Sequence, residues 1–447
     1  MNRDTIILVH GGNGGAGFAS AGEKLFHPVL GRPLVSYVLA AAAGLRPGQI
    51  VLAVGDADHE PAAEAAAALA EAAGRVPFAL IRPRSRKGKR RSGIVSVLLG
   101  SSAALRKKCA SDLLLVPADR PLLQSGTLKN FLAVHRRQGC GMTLMTFGPD
   151  IDRDSVAALR GEDIIPLLPA LAAARGESGL RAVAALLSGR GKKVGLTEVP
   201  AAGETMRITG RVDLARAARL LQRRKNEDLA RRGVTLLDPL SAWIDWAAEL
   251  GPGTVVYPSV VIEGATRVGK NCRIYPHVHI MGSRIGDGVK VLSSTVLDGC
   301  RLENDVQVGP FSRLRPGTVV RTGSKVGNFV EMKNTVFGPR SKAQHLSYLG
   351  DSLVEEDVNI GAGTITCNYD GVRKNRTHIG AGAFIGSGTE LVAPVKVGKR
   401  AYVAAGSTIT KDVSPASLAI GRARQVEKPG WVAERAKKLQ KKTRAHK

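Results

Sequence analysis

Aromatic residues make up only 4% of the 447-residue chain, against 52 glycines. That balance disfavours an aromatic-rich core and suits a tightly coiled β architecture, whose turns need small residues and where bulky rings fit poorly. The five cysteines, Cys109, Cys140, Cys272, Cys300 and Cys367, stand singly with no C-x-x-C pair. Neither a zinc site nor a disulfide framework is signalled, and free thiols are expected. No apolar run reaches the ~18 residues that a membrane span requires. The segment IILV near the N-terminus is too short for the core of a signal peptide, so a cytoplasmic protein is expected.

Acidic residues are also scarce. Lys and Arg number 65 against 38 Asp and Glu, a formal net charge of +27, which favours phosphate-bearing partners in general. Two clusters carry much of the excess, RPRSRKGKRR from Arg82 to Arg91 and the tail Arg435 to Lys447. No aromatic residues interleave with these charges, which argues for solvated segments over a nucleic-acid interface.

What is present divides the chain in two. The segment Asp4 to His10 reads as a buried parallel strand leading into the glycine-rich loop Gly11 to Gly17, then a helix from about Pro33 to Ala43. Apolar segments at Ile50 to Val54, Phe78 to Ile81, Leu113 to Val116 and Met142 to Phe147 alternate with alanine-rich helical stretches such as Pro61 to Ala73 and Val95 to Lys108. Such alternation predicts an α/β domain around a mostly parallel sheet, with ligands at the carboxyl ends of its strands. The loop formally matches G-x-G-x-x-G, but no acidic ribose ligand ends a second strand ~20 residues on. Glu23 and Lys24 also stand where a Walker A loop needs Lys and then Ser or Thr.

From Arg207 to Gly233 the sequence is helical after its first residues, with Leu214, Ala218 and Leu221 on one stripe and Gly233 as terminator, and it reads as a connecting arm. After Asp238 the texture changes. Val256, Ile262, Val268, Ile274 and Ile280 fall at six-residue steps, as do Ile379, Ile385, Leu391, Val397, Val403 and Ile409. A period of six with one aliphatic per repeat predicts a parallel β-helix with the aliphatics stacked inside. The rhythm breaks at Thr366 to His378, which leaves the coil as a loop of the kind that carries function. Arg315, Lys333 and His345 are chemical groups where repeats are otherwise featureless. The stretch Gly338 to Asp370 adds Tyr348, Asn359, Asn368 and Tyr369, and reads as an acyl-transfer site.

The motifs GPFSRLRPGTVV, KVGNFVEMKNTVFG, SKAQHLSYLGD, VNIGAGTITCNYDG, FIGSGTELVAPVKVG and AAGSTITKDV resemble the acetyltransferase half of the GlmU family over roughly Asp238 to Trp431. These are bifunctional enzymes that acetylate glucosamine-1-phosphate and couple the product to UTP. The resemblance implies a left-handed β-helix and a homotrimer whose neighbouring chains complete the site, with the Thr366 to His378 loop reaching across. It implies acetyl-coenzyme A as cosubstrate. By the same resemblance His345 is the general base and Glu331 orients it, a pairing that suits an imidazole titrating near neutral pH. Arg315, Lys333, Tyr348, Asn359 and Lys374 are implied to hold the sugar phosphate, and Ala362, Asn368, Tyr369, Ser387, Ala405 and Arg422 to contact acetyl-coenzyme A.

The N-terminal half resembles the same family with losses, as a nucleotidyltransferase-like domain. Lys24 matches the nucleotide-binding lysine and Asp119 a magnesium-binding aspartate. Ala16, or Gly17 one register on, stands where the catalytic arginine belongs, no uridine-reading motif is evident near KGKRRSGIVSVLLG, and Arg207 to Arg211 lacks the Asn that supplies a second ligand to Mg2+. The expected organisation is therefore a degenerate domain over 1–205, an arm over 206–237, the acetyltransferase coil over 238–431 and a basic tail over 432–447. The expected function is N-acetylation with uridylyl transfer impaired. The alternatives are a fully bifunctional enzyme and a non-catalytic β-helix scaffold.

Overall fold

The computed structural model describes residues 5–11, 21–54, 66–81, 94–102, 105, 112–146, 155–173, 179–198 and 203–445. Most of the glycine loop (12–17), the basic segment 82–91 and Cys109 lie outside the described residues. The chain forms two compact units, one of residues 1–249 with 258–266 and one of residues 250–257 with 267–447.

The first unit is built on a seven-stranded sheet in the order Phe78–Ile81, Gln49–Ala53, Thr5–His10, Asp112–Pro117, Ala157–Arg160, Met142–Thr146, Val194–Glu198. Its pairings are parallel except those made by Ala157–Arg160. Thr5–His10 and Asp112–Pro117 are buried along their whole lengths, because helices cover both faces and leave no polar side to show. Two apolar layers, one around Ile7, Val38 and Leu114 and one around Leu8, Leu113 and Leu168, fill the two faces. Helix Leu34–Ala43 lies within a residue of its expected place. The carboxyl ends of the central strands bring Gly11 beside Ala53 and Ala118 beside His10.

Helix Arg211–Arg231 packs into this unit through Leu214, Ala217 and Leu221, against Leu30, Leu34, Tyr37 and Leu122. Ala218 is only partly buried, so Ala217 takes the place expected for it. Three polar side chains lower on the helix serve another purpose. Gln222 and Asn226 donate to the carbonyl of Ala242, and Lys225 donates to those of Trp246 and Ala248 at 3.0 and 2.7 Å. A turn of chain that has left the sheet thereby gains donors for carbonyls that folding would otherwise strand.

The second unit is a left-handed parallel β-helix, whose very short strands stack into three parallel sheets. A typical rung strand such as Arg273–Ile274 has its first residue exposed and its second buried. The inner residues form continuous columns, among them Ile280, Leu297, Leu314, Met332 and Leu349, all fully buried. Burying such a side chain is worth about 1.5–3 kcal/mol, so the coil is held chiefly by this apolar spine. Corners between sheets are turned by residues with positive φ, including Phe311, Phe329, Asn334, Leu346 and Asp351. The 25-residue step from Ile360 to its stacked neighbour Ile385 exceeds the usual coil because the loop leaves the wall there.

Candidate active site

Coil length decides which side chains meet. Residues about 17 apart on successive coils lie one above another, and His345 sits over Asn328 with its Nδ1 2.9 Å from Asn328 Oδ1. An amide oxygen only accepts. The ring therefore donates through Nδ1–H, and its neutral form carries the lone pair on Nε2.

Backbone ladders carry this corner column onward. Leu346 accepts from Gly363, Ala362 from Gly388 and Ser387 from Gly406. His345 thus heads a column continued by Ala362, Ser387 and Ala405, three residues expected to contact the acyl donor. Each is small, so the wall beyond the imidazole is smooth enough for an extended thioester arm. Arg422 lies at the far end, its Cδ beside Gly406.

Glu331 takes a different partner from the one expected. Arg315 Nη1 donates to Glu331 Oε1 at 3.1 Å, whereas the His345 ring is held by Asn328. The reason is stacking: Glu331 opens the next strand, Glu331–Lys333, between Arg313 and Tyr348 in register, while Asn328 lies directly beneath His345.

Around the following corner the polar groups crowd together. Asp351, 8% exposed and in the left-handed region, accepts from Asn334 Nδ2 at 2.6 Å and from Asn368 Nδ2 at 2.5 Å. Burial alone would raise its carboxyl, but the two amides and the Lys374 and Lys333 ammonium groups outweigh it and hold the carboxyl below the usual range. Lys333, beside Lys374, is pushed below the ordinary lysine value first by that neighbour, with Arg315 adding to the effect and Asp351 opposing it. Two cations facing one another at the surface, with a third nearby, form a site prepared for a dianion.

Gly350 makes this crowding possible. A Cβ there would lie 2.6 Å from the Tyr348 hydroxyl, 2.8 Å from Asn368 Nδ2 and 2.9 Å from Tyr348 Cε1. Only glycine lets the Tyr348 ring and the Asn368 amide close over this strand.

The loop that brings Lys374 is ordered locally. Asp370 accepts from the Val372 and Arg373 amides and from Asn375 Nδ2, which hold its carboxyl at about 2. Tyr369, 61% exposed, bridges Lys374 in antiparallel fashion. Arg315, Lys333, Tyr348, Asn368 and Lys374 thus gather about one corner. Asn359 does not join them, standing on another sheet between Lys342 and Phe384. Sequence reading missed Asn328, Gly350 and Asp351, whose only signal is a place one coil away from His345 or beside Tyr348 and Asn368.

In the first unit, Lys24 and Asp119 meet as expected, Nζ to Oδ2 at 3.1 Å, both buried. Arg207 Nε also contacts Asp119 Oδ2, at 3.0 Å, and Lys24 donates to the Ile208 carbonyl. Burial pushes the Asp119 carboxyl up, but Lys24 and Arg207 prevail and hold it below its usual range. Its Oδ1 is buried without a hydrogen-bond partner among the described residues. Mg2+ is commonly held by one or two carboxylates together with water and substrate phosphate oxygens, which needs a carboxylate free of other cations. Here one carboxylate faces two cations, and among the described residues no group of three or more His, Cys, Asp or Glu could hold a metal. With Lys24 and Arg207 already on the one carboxylate, this arrangement does not fit Mg2+.

A profile described as MobA-like NTP transferase domain matches residues 11–193, and one described as bacterial transferase hexapeptide (six repeats) matches 376–411. A protein of Pelobacter propionicus called "Bifunctional protein GlmU" is 37% identical over 98% of this chain and 99% of its own. One of the same name from Trichlorobacter lovleyi is 37% identical over 96% and 98%. Another from Thermotoga maritima is 54% identical over 48% of each chain.

Proposed function

This chain belongs to the GlmU family, and on that premise we propose that its coil transfers the acetyl group of acetyl-coenzyme A to the amine of glucosamine-1-phosphate. The observation that carries the reading is the corner column. A histidine with Nε2 free to act as base heads a small-residue wall, and a lysine pair suited to a sugar phosphate lies at the next corner. In this reading the amine nitrogen adds to the thioester carbonyl carbon as Nε2 of His345 takes its proton. Collapse of the tetrahedral adduct breaks the C–S bond, and the imidazolium returns the proton to the departing thiolate. The products are the N-acetylated sugar phosphate and free coenzyme A.

Asn359's place on a separate sheet supports a site completed by a second copy. So does the exposed ladder of Phe311, Phe329 and Leu346, with Phe311 stacked on Phe329 at 5.6 Å beside the His345 column. Apolar side chains aligned in this way are the kind that subunit contacts bury, in keeping with a trimer. Acetyl-coenzyme A as donor is consistent with a cytoplasmic setting. Among the described residues, no helix is long and apolar enough to cross a membrane.

A second reading adds uridylyl transfer in the first unit. It is favoured over an impaired domain by the near full-length match to relatives named bifunctional and by the nucleotidyltransferase profile over residues 11–193. Against it stands the engagement of Asp119 by Lys24 and Arg207. Thiol release from acetyl-coenzyme A with glucosamine-1-phosphate tests the first activity. Pyrophosphate release from UTP, N-acetylglucosamine-1-phosphate and Mg2+ tests the second. An active first assay with a silent second leaves acetyl transfer alone.

A further inference from the structure

We propose that Asp351 is a positioning residue that couples the sugar-phosphate side of the site to the acyl-donor side, by holding Asn368 with one carboxylate oxygen while its charge keeps Lys333 and Lys374 together. The inference rests on the acetyl-transfer reading and deepens it.

Three successive coil corners place Asn334, Asp351 and Asn368 one above another, 17 residues apart at each step. Asp351 is the middle rung, and both its oxygens are committed, Oδ1 to the Asn334 amide and Oδ2 to the Asn368 amide. Only a carboxylate can accept on both sides. An amide in its place would turn an NH2 group toward one of two other NH2 groups. Asn368 is thereby fixed over Gly350, the glycine that Tyr348 also covers.

The same residue meets the Lys333 rung directly, its backbone N–H donating to the Lys333 carbonyl at 2.9 Å. Its carboxylate is the negative charge that opposes the effect of Lys374 and Arg315 on Lys333. Without it, two like charges would spread apart in the free protein, and each acceptor phosphate would have to gather them again. One side chain therefore sets the spacing of the cation pair and the position of a donor-contacting amide.

The test is steady-state kinetics on the full-length Asp351→Asn variant, varying glucosamine-1-phosphate and acetyl-coenzyme A in turn. The expected result is a KM raised about tenfold for the sugar phosphate and about threefold or more for acetyl-coenzyme A, with kcat within threefold of wild type. A merely structural role lowers the active fraction and hence the apparent kcat, but leaves both KM values in place. Both KM values within twofold of wild type overturn the proposal. Should Asp351→Asn not fold, Asn334→Ala decides, since it removes one of the two amides from an exposed position. A KM for the sugar phosphate raised threefold or more supports the proposal, and an unchanged one overturns it. Wild-type protein that releases no thiol overturns the acetyl-transfer reading itself, an outcome distinct from an active wild type with unmoved variants.

Discussion

Replacing Gly350 by alanine tests the site at its most crowded point. The added Cβ would stand 2.6 Å from the Tyr348 hydroxyl and 2.8 Å from Asn368 Nδ2, where ordinary carbon contacts lie at about 3.5–4.0 Å. Both groups must retreat by roughly 1 Å. They are the tips of side chains, and Gly350 is not among the positive-φ residues, so the backbone of the rung has no reason to move. The cost to stability is then that of off-rotamer side chains, about 0.5–1.5 kcal/mol each, while the inward Leu349 stays in the apolar spine. Catalysis suffers more, because a displacement of about 1 Å at a positioned group costs on the order of 100-fold. The expected outcome in a thiol-release assay is a kcat/KM lowered about 10- to 100-fold, with the unfolding temperature lowered by only a few degrees. A variant within threefold of wild-type kcat/KM refutes the reasoning. So does one that loses activity only because the coil unfolds.

Three further outcomes follow from particular contacts. Asn328→Ala removes the acceptor that fixes the His345 ring and is expected to lower kcat about tenfold with KM for both substrates within twofold, measured by the same assay. Lys225→Met leaves the Trp246 and Ala248 carbonyls without their lysine donor. At about 1–3 kcal/mol for buried groups left unpaired, calorimetry should record a fall of roughly 2–12 °C in the unfolding temperature of the first unit. Asp370, with its carboxyl at about 2 in the folded loop, lies below the ordinary aspartate value of about 3.9. The folded state is the weaker proton binder, so this contribution to loop order is full above about pH 4 and fades as pH falls toward about 2. The protection factors of the Val372 and Arg373 amides, with the intrinsic pH dependence of exchange divided out, should fall as pH drops through that window and stay steady above it.

The coil was legible in the sequence because its cause is periodic. One aliphatic at every sixth position must face inward if each flat side takes one repeat, and Val256, Ile262, Ile274, Ile280, Ile379, Ile385, Leu391 and Val403 are all buried. The strands of the first unit were legible for a related reason: a parallel strand covered on both faces reads as an unbroken apolar run. The strand Ala157–Arg160, short, alanine-rich and antiparallel to both its neighbours, and Val194–Glu198, with its partly exposed pattern, were missed. In the site, Arg315, Lys333, His345 and Tyr348 stood out as chemical groups in a plain background, whereas Lys374 was named only through the family resemblance. Their partners did not, because Asn328 and Asp351 are identified only by the coil length that stacks them beneath His345 and Asn368. Gly350 was hidden among 52 glycines. The pairing of Glu331 with His345, implied by the family resemblance, does not occur within this chain, where Asn328 holds the His345 ring and Arg315 meets Glu331.

The central claim is that His345, held by Asn328 at the head of the small-residue column, takes the proton of an attacking amine. Thiol release from acetyl-coenzyme A with glucosamine-1-phosphate, measured on the wild type and on His345→Ala, tests it most directly. A positioned general base is worth about 10²–10⁴-fold, so the account predicts steady release by the wild type and a kcat at least 100-fold lower in the variant, with the coil still folded. Release by His345→Ala at the wild-type rate, or none from the wild type, would contradict it.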